Sequence, residues 1–261
     1  LLADPILSSW FTEHSGQYAR IYETSADESA LNPVTTWSHP NNGSGQALPT
    51  YAGVHEIAYT DTNVYIRTSG LGFHVMGPWY LDEERTNLFP NYPSNTSAIF
   101  RFPRVPGTPP ISKTATGNGT IGYFVDGIGM FDSRDAFSYS NANEGDARPN
   151  SDFTGDGIWN RDAYINESVT FDSAHAHQAG INHHYHANPP ALRHLIGDSV
   201  DYDASTNTYT ENFNGQHSPI VGWVRDGYPI YGPYGYDDPD DTYSTVRRMI
   251  TGYIARDGSN G

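Results

Sequence analysis

The chain has 261 residues, a formal net charge of −16 at pH 7 and no cysteine. This length can bury one sizeable hydrophobic core, and the acidic charge argues against nucleic acid and anionic membranes as partners. Aromatic residues make up 13% of the chain, which argues against intrinsic disorder, and no apolar run approaches the roughly 20 residues of a membrane span.

The first part of the chain is predicted to consist of short strands and turns. Residues 1–34 form a polar lead-in, in which the alternating segment 17–22 predicts a strand. Residues 54–67 predict two strands around a turn at 60–63, because Asp and Asn favour turns. Residues 98–102 predict a further strand, which ends at a proline-rich segment.

The second part continues this pattern. Strands are predicted at 119–125, 181–186 and 220–225, with a long polar loop over 140–157 and mixed signals over 243–254. No long segment has a 3.6-residue apolar period, so helices should be few and short. With 26 Gly and 18 Pro, the predicted fold class is mainly β, an irregular sandwich-like domain with long ordered loops.

Histidines are concentrated in one region, since six of the eleven lie between residues 175 and 194. His175 and His177 are spaced by two residues, as are His184 and His186, and residues at this spacing on a strand point to the same face. Imidazole is the commonest metal ligand in proteins, so two such pairs favour a metal site. The alternative is a set of surface or hydrogen-bonded histidines packed beside aromatic rings.

The sequence around these histidines resembles the YHYH-domain family, which is typically secreted and whose biochemical function is not established. The resemblance covers roughly residues 35–261, and the polar end of the chain suggests a C-terminal truncation. The motifs that carry it are Asp135-Ala-Phe-Ser-Tyr139, Ile158-Trp-Asn160, Phe171-Asp172, His183-His184-Tyr185-His186, Asn188-Pro189, Leu192, His217-Ser-Pro-Ile220 and Asp226-Gly-Tyr-Pro-Ile-Tyr-Gly-Pro233. The resemblance implies a YHYH-like β domain over 35–261, preceded by the lead-in of residues 1–34.

The candidate metal ligands are the residues that match the family pattern: Asp172, His177, His184, His186, His217 and Asp226. We expect His184 and His186 to form one arm of the site, and His177 and His217 the other. Either aspartate could be a ligand or the acceptor that fixes a histidine tautomer. Several imidazoles favour Zn or Cu over Ca or Mg. The histidines expected to be peripheral are His175, His183 and His194.

Two departures from the family pattern stand out. The first Tyr of the signature is His183 here, and two positions where the family often has Cys are Ala174 and Ala191. Their joint change implies a lost disulfide, so the two Cα atoms should lie within the ~4.4–6.8 Å that a disulfide requires. A bound metal, a glycan or a larger assembly would then supply the missing constraint.

An oxygen-rich loop partly matches a calcium-binding template. Its matching residues are Asp152, Thr154, Asp156 and Asn160, at positions 1, 3, 5 and 9. Position 12 is Ala163, where a bidentate Glu belongs. The alternative is a turn whose side chains cap their own backbone.

Two functions remain open from the sequence. The first is a secreted or cell-surface structural and assembly domain, such as a subunit of an extracellular filament, which is stabilised by bound metal and carries glycans. Segment 17–22 could add to the sheet edge of a neighbouring chain, or pair within its own domain. Four glycosylation sequons begin at Asn42, Asn95, Asn118 and Asn166.

The alternative function is a metal-dependent enzyme. Three histidines with an open fourth position would hold a metal ion that generates a bound hydroxide, or would hold a redox-active metal. Tyr185 or Tyr228 would then be the proton donor. The chain has no cysteine nucleophile, Gly-x-Ser-x-Gly elbow, phosphate loop or dinucleotide motif.

Overall fold

A computed structural model describes residues 4–12 and 16–252, which are built mainly from short strands. The strands in this described part are β1 (Arg20–Ile21), β2 (Trp37–Ser38), β3 (Gly45–Gln46), β4 (Val54–Tyr59), β5 (Asn63–Thr68), β6 (Val75–Met76), β7 (Ala98–Pro103), β8 (Thr120–Phe124), β9 (Gly129–Phe131), β10 (Arg134–Ser140), β11 (Gly145–Asp146), β12 (Asn160–Asp162), β13 (Ala176–Ala179), β14 (Asn182–Tyr185), β15 (Val200–Asp203), β16 (Thr208–Glu211), β17 (Ile220–Val224), β18 (Pro229–Tyr231), β19 (Tyr234–Tyr236) and β20 (Val246–Arg248). The helices are α1 (Pro5–Ser8), α2 (Ser25–Ser29), α3 (Ala163–Asn166), α4 (Pro190–Leu195) and a 3-10 turn, Ser168–Thr170. Helix accounts for 9% of the structure, so the predicted mainly-β fold is confirmed.

The largest sheet has six strands in the order β13-β14-β9-β8-β17-β18. Strand β14 pairs with β13 in antiparallel fashion and with β9 in parallel fashion, and the remaining neighbours are antiparallel. β14 is therefore an inner strand, and the histidines on it are held by hydrogen bonds on both edges.

A second sheet, β4-β5-β7, shares its core with the first. Strand β5 alternates between half-buried and buried positions, and Val64 and Ile66 are fully buried in the shared core. The ring of Phe100 on β7 lies 4.7 Å from that of Tyr123 on β8. Burying an aliphatic side chain such as that of Val64 or Ile66 stabilises the fold by about 1.5–3 kcal/mol. The two sheets form the sandwich-like part of the domain.

A separate core cluster is built from residues 19–92, around the fully buried Trp79. The predicted strand over 17–22 contributes to it as β1, which pairs with β6 along one edge. On the other edge, Ile21 exchanges backbone hydrogen bonds of 3.0 and 2.9 Å with Val34. Both edges are used within the chain, so the expectation that this strand reaches out to a neighbour is wrong.

Other sequence predictions agree with the strands found. The hairpin over 54–67 is β4 and β5, closed by a 2.8 Å bond from the Thr60 amide to the Asn63 carbonyl. The strands expected at 98–102, 119–125, 181–186 and 220–225 are β7, β8, β14 and β17. Among the residues that the structure describes, no helix has the length and apolar character to cross a membrane.

Candidate metal centre

Three histidines project from one face of the six-stranded sheet. His177 on β13 is directly opposite His184 on β14, and His186 follows two residues later, where side chains return to the same face. The ring of Phe131 on β9 stacks on His184, with centroids 3.6 Å apart. The strand register therefore brings the three rings together, and an aromatic neighbour fixes one of them.

The Nε2 atoms of these histidines converge. That of His186 lies 3.3 Å from Nε2 of His177 and 3.2 Å from Nε2 of His184, and the three ligand atoms all lie within 4.8 Å of one another. With Zn–N bonds of about 2.0–2.1 Å, two nitrogens on a tetrahedral ion are about 3.4 Å apart. The observed spacing is thus close to that of a metal-binding site.

The outer nitrogens of two rings are held by backbone carbonyls. Nδ1 of His184 donates to the Asn182 oxygen at 3.0 Å, and Nδ1 of His186 donates to the Asp132 oxygen at 3.0 Å. A carbonyl only accepts, so each Nδ1 carries the proton and each Nε2 keeps a free lone pair.

The third ring is oriented by a hydroxyl. Thr170 Oγ1 donates to the Glu167 carbonyl at 2.6 Å, so the same oxygen accepts from Nδ1 of His177 at 2.7 Å. His177 therefore has the same tautomer as its two neighbours, and three lone pairs point to one place.

Glu167 adjoins the cluster at His177 and His186 without joining the group of three mutually close histidines, and the sequence analysis missed it. Its Oε2 lies 2.9 Å from Nε2 of His177 and 3.2 Å from Nε2 of His186. Burial acts to raise the pKa of Glu167, but its hydrogen bonds with His177 and His186 outweigh burial and hold that pKa below its ordinary value. An ionised carboxylate facing imidazole lone pairs needs a cation between them, which is either a proton or a metal ion.

The charges around the cluster follow from burial and from this carboxylate. Burial lowers the pKa of His177 and of His184, which keeps both rings neutral. Burial also acts to lower the pKa of His186, but the contact with Glu167 outweighs it and raises that pKa. Burial and the nearby Glu167 raise the pKa of Asp135 to about 7. The group thus combines two neutral imidazoles, His177 and His184, with the ionised carboxylate of Glu167 and with His186, whose pKa that carboxylate raises.

The cluster lies in the wall of a cleft of about 430 Å³. Apolar side chains form much of the remaining wall, among them Leu81, Phe89, Phe131 and Phe137, while Arg134 is exposed beside it. A cleft of this size and character is suited to a small organic molecule.

Three of the predicted ligands, His217, Asp226 and Asp172, do not join this cluster. Nδ1 of His217 donates to the Ser218 carbonyl at 2.7 Å, and its ring packs against tyrosines. Asp226 is exposed beyond the end of β17. Strand β17 is three strands from β14, and adjacent strands are spaced by about 4.8 Å. The predicted second arm is thereby corrected, and Glu167 lies where His217 was expected.

Asp172 and His183 lie on the opposite face of the sheet from His184. The alternation along β14 turns His183 and Tyr185 inwards, and His183 is completely buried rather than peripheral. The carboxylate of Asp172 accepts hydrogen bonds from backbone amides, including that of Gly77 at 2.8 Å.

The other two histidines of this region lie outside the cluster. His175 has a positive φ of 62° and contacts the Tyr164 hydroxyl at 3.0 Å, so it does not form a strand pair with His177. Nδ1 of His194 donates to the Val200 carbonyl at 2.9 Å, which makes it peripheral as expected.

Two of the four calcium-loop residues, Asp156 and Asn160, use their side chains in hydrogen bonds to neighbouring segments of the chain. The Asp156 carboxylate accepts from the Asn141 amide and side chain at 2.9 and 2.6 Å. Asn160 donates to the Asp135 carbonyl at 2.9 Å, and the Thr154 carbonyl accepts from Ser138. These contacts favour the alternative of side chains that stabilise loop backbone, and the calcium loop of Asp152, Thr154, Asp156 and Asn160 stays a prediction.

The two alanines of the expected lost disulfide are both buried in the core shared by the two sheets, Ala174 completely and Ala191 almost so. The predicted pairing stays a prediction.

Comparison with known proteins gives one match. Residues 99–260 match the family described as YHYH protein, which covers more than half of the chain and all of β8 to β20. No curated protein and no solved structure matches. The match includes the three histidines and Glu167, whereas the core cluster of residues 19–92 precedes it. This chain belongs to the YHYH family.

Proposed function

We propose that this chain is a metal-binding structural domain of an extracellular or cell-surface assembly. In this proposal a Zn or Cu ion is bound by Nε2 of His177, His184 and His186. The observation that carries it is the convergence of three Nε2 lone pairs whose rings are each held through Nδ1 by an oxygen. Fixing the far nitrogen in this way is how proteins orient histidine ligands.

The proposed role of the metal is to tie separate segments together. Glu167, between α3 and the 3-10 turn, lies 2.9 Å from Nε2 of His177 but outside the group of three mutually close histidines, so it would have to move towards His184 to become the fourth donor. Four protein donors would make a closed tetrahedral centre, which is typical of structural zinc. The ion would connect the Glu167 segment to β13 and β14, and so supply the constraint that the family's disulfide would give.

Support for assembly comes from an exposed arm, residues 105–117. Val105 is 79% exposed and Ile111 is fully exposed. In the described part of the chain, the backbone of this arm has no hydrogen-bond partner. Extended segments of this kind can donate backbone hydrogen bonds and apolar side chains to a neighbouring chain.

The sequons differ in their suitability for a glycan. Asn118 is exposed and uses only Oδ1, which accepts from Arg134 at 2.8 Å. Nδ2 of Asn166 donates to Asp135 and Ala147, and Nδ2 of Asn42 and Asn95 also donate within the chain. A glycan attaches to this nitrogen, so Asn118 is the favoured site.

The experiment is thermal denaturation of the full chain before and after chelation. Removal of the metal should lower the Tm of the wild type and leave His184→Ala unaffected, because that variant lacks a ligand. His217→Gln is the matched control and should respond to the chelator as the wild type does. Equal Tm values for the wild type with and without chelator would overturn the structural role.

A second candidate is a metal-dependent enzyme, and the cleft of about 430 Å³ beside the cluster favours it. A metal bound there would supply an activated water or a Lewis acid. Glu167 would then not be a ligand of the ion, and its carboxylate would accept a proton from the substrate or from water. Azide added to the Co²⁺-loaded protein separates the candidates: an open position would change the visible spectrum, and a closed centre would not.

A further inference from the structure

A second group of metal-ligand side chains lies inside the protein, on the other face of β14. It consists of His74, Asp172 and His183, whose ligand atoms all lie within 4.8 Å of one another. Nε2 of His74 is 3.8 Å from Oδ2 of Asp172. Because β14 alternates, His183 points away from His184 and the sheet separates the two groups.

Three of the four imidazole nitrogens of this group lack hydrogen-bond partners within the described residues. His183 is completely buried, and within the described residues neither of its ring nitrogens has a partner. Nε2 of His74 is also buried and unpaired. Nearly all buried polar groups in folded proteins are paired, and leaving them unpaired is unfavourable. Three unpaired nitrogens beside one carboxylate therefore require an explanation.

The tautomer of His74 leaves its inner nitrogen free to bind. The Tyr185 hydroxyl donates to Oδ2 of Asp126 at 3.2 Å, and its oxygen lies 3.3 Å from Nδ1 of His74. With its proton committed to Asp126, the hydroxyl accepts from Nδ1 of His74. This leaves the lone pair on Nε2, which faces Asp172. The two hydrogen bonds that connect the His74 ring, the Tyr185 hydroxyl and the Asp126 carboxylate resemble the outer contacts that orient metal-binding histidines.

Asp172 is held rigidly in position. Its Oδ1 accepts from the amides of Ala174 and Ala176 at 2.9 and 3.1 Å, and its Oδ2 accepts from Gly77 at 2.8 Å. These three donors favour the ionised carboxylate at a position that is almost fully buried. A buried negative charge beside two imidazole lone pairs is favourable for a divalent cation.

We propose that His74, Asp172 and His183 bind a second transition-metal ion of the Zn²⁺ class, independently of the first centre. Two imidazoles and one carboxylate are donors that suit such an ion. The proposal goes beyond the proposed function and does not depend on it, because the two groups share no ligand.

The ion would join two parts of the chain. His74 precedes the residues that match the YHYH family, whereas Asp172 and His183 are inside them. His183 is also the residue that replaces the first Tyr of the family signature. The second centre is therefore a feature of this chain, which fastens its N-terminal core to the family domain.

The test is the number of Zn²⁺ ions bound by the full chain, measured by mass spectrometry of the metal after dialysis. The wild type should bind about two ions. His183→Tyr, which restores the family residue, should bind about one, and so should His184→Ala/His186→Ala. The three substitutions combined should bind none, and the control His217→Gln should bind as many as the wild type.

The outcomes separate the two centres. If His183→Tyr binds as much Zn²⁺ as the wild type, the second centre is overturned and the first is unaffected. If His184→Ala/His186→Ala binds as much as the wild type, the first centre fails while the second stands. Should His183→Tyr not fold, anomalous diffraction at the zinc edge from wild-type crystals decides. A peak between His74 and Asp172 is expected, and zinc-soaked crystals without one would overturn the proposal.

Discussion

At the scale of single residues, the candidate centre depends on which nitrogen of each imidazole faces inwards. His184 and His186 direct Nδ1 to carbonyls, and His177 directs Nδ1 to Thr170. An imidazole with its proton fixed on one nitrogen cannot rotate or change tautomer without losing a hydrogen bond. The outer partners thus decide that three Nε2 atoms are available together.

Thr170→Val tests the importance of such a partner. The change removes the acceptor of His177 Nδ1 and the 2.6 Å bond to the Glu167 carbonyl, while it keeps the shape of the side chain. We expect metal affinity to fall by about 10–100-fold, as is typical when an outer partner of a ligand is lost. Competition with a chelating dye measures this loss. Thr206→Val, an exposed position, is the control, and equal affinities for the two variants would contradict the assigned role.

Glycosylation can be predicted at the same scale. Nδ2 of Asn166 is bonded to Asp135 at 2.7 Å, whereas Asn118 is exposed and only its oxygen is bonded. In a host that glycosylates, mass spectrometry of peptides should find the glycan on Asn118 and none on Asn166. A glycan found on Asn166 in folded protein would be inconsistent with these contacts.

At the scale of elements, the hairpin of β13 and β14 builds the first centre. Its two-residue spacing was visible in the sequence, so the common face of His184 and His186 could be predicted. Glu167 could not be, because a lone glutamate after a one-turn helix has no periodicity, and only the tertiary fold brings it to the hairpin. His217 was misplaced because a family motif does not reveal that two strands separate β17, the strand that follows His217, from β14.

The connection between β13 and α4 offers a test by covalent cross-linking. Ala174 and Ala191 are buried in one core, and the resemblance predicts that they are neighbours. The double variant Ala174→Cys/Ala191→Cys should form a disulfide that raises the free energy of unfolding by about 3 kcal/mol, the value for a loop of this size. Urea unfolding with and without reductant measures it. Thiols that stay free in the oxidised, folded protein would show that the alanines are not a lost bridge.

At the scale of the whole molecule, two core clusters meet in one chain. Most of the buried residues in the shared core of the two sheets lie within the family match, and the cluster around Trp79 precedes it. The mainly-β fold followed from short alternating segments divided by Gly and Pro. The pairing of β1 with β6 and Val34 did not, because alternation alone does not identify a strand's partner.

Self-association is expected to depend on the arm of residues 105–117. Replacing exposed apolar side chains with charge disfavours their burial against a neighbour, so Val105→Asp/Ile111→Asp should weaken association in sedimentation velocity experiments. Leu48→Asp is the control, since Leu48 is 74% exposed outside the arm. If the arm variant and the wild type sediment alike as assemblies, another surface mediates the contact. If the wild type is a monomer at all concentrations, the assembly role is wrong.

The measurement that tests the central claim most directly is isothermal titration of the metal-free full chain with Zn²⁺ or Cu²⁺, compared with the variant His177→Ala/His184→Ala/His186→Ala. The account predicts tight binding by the wild type, and loss of one equivalent of tight binding in the variant. A folded variant that binds as much metal as tightly as the wild type, or a folded wild type that binds none, would contradict a metal centre at these histidines.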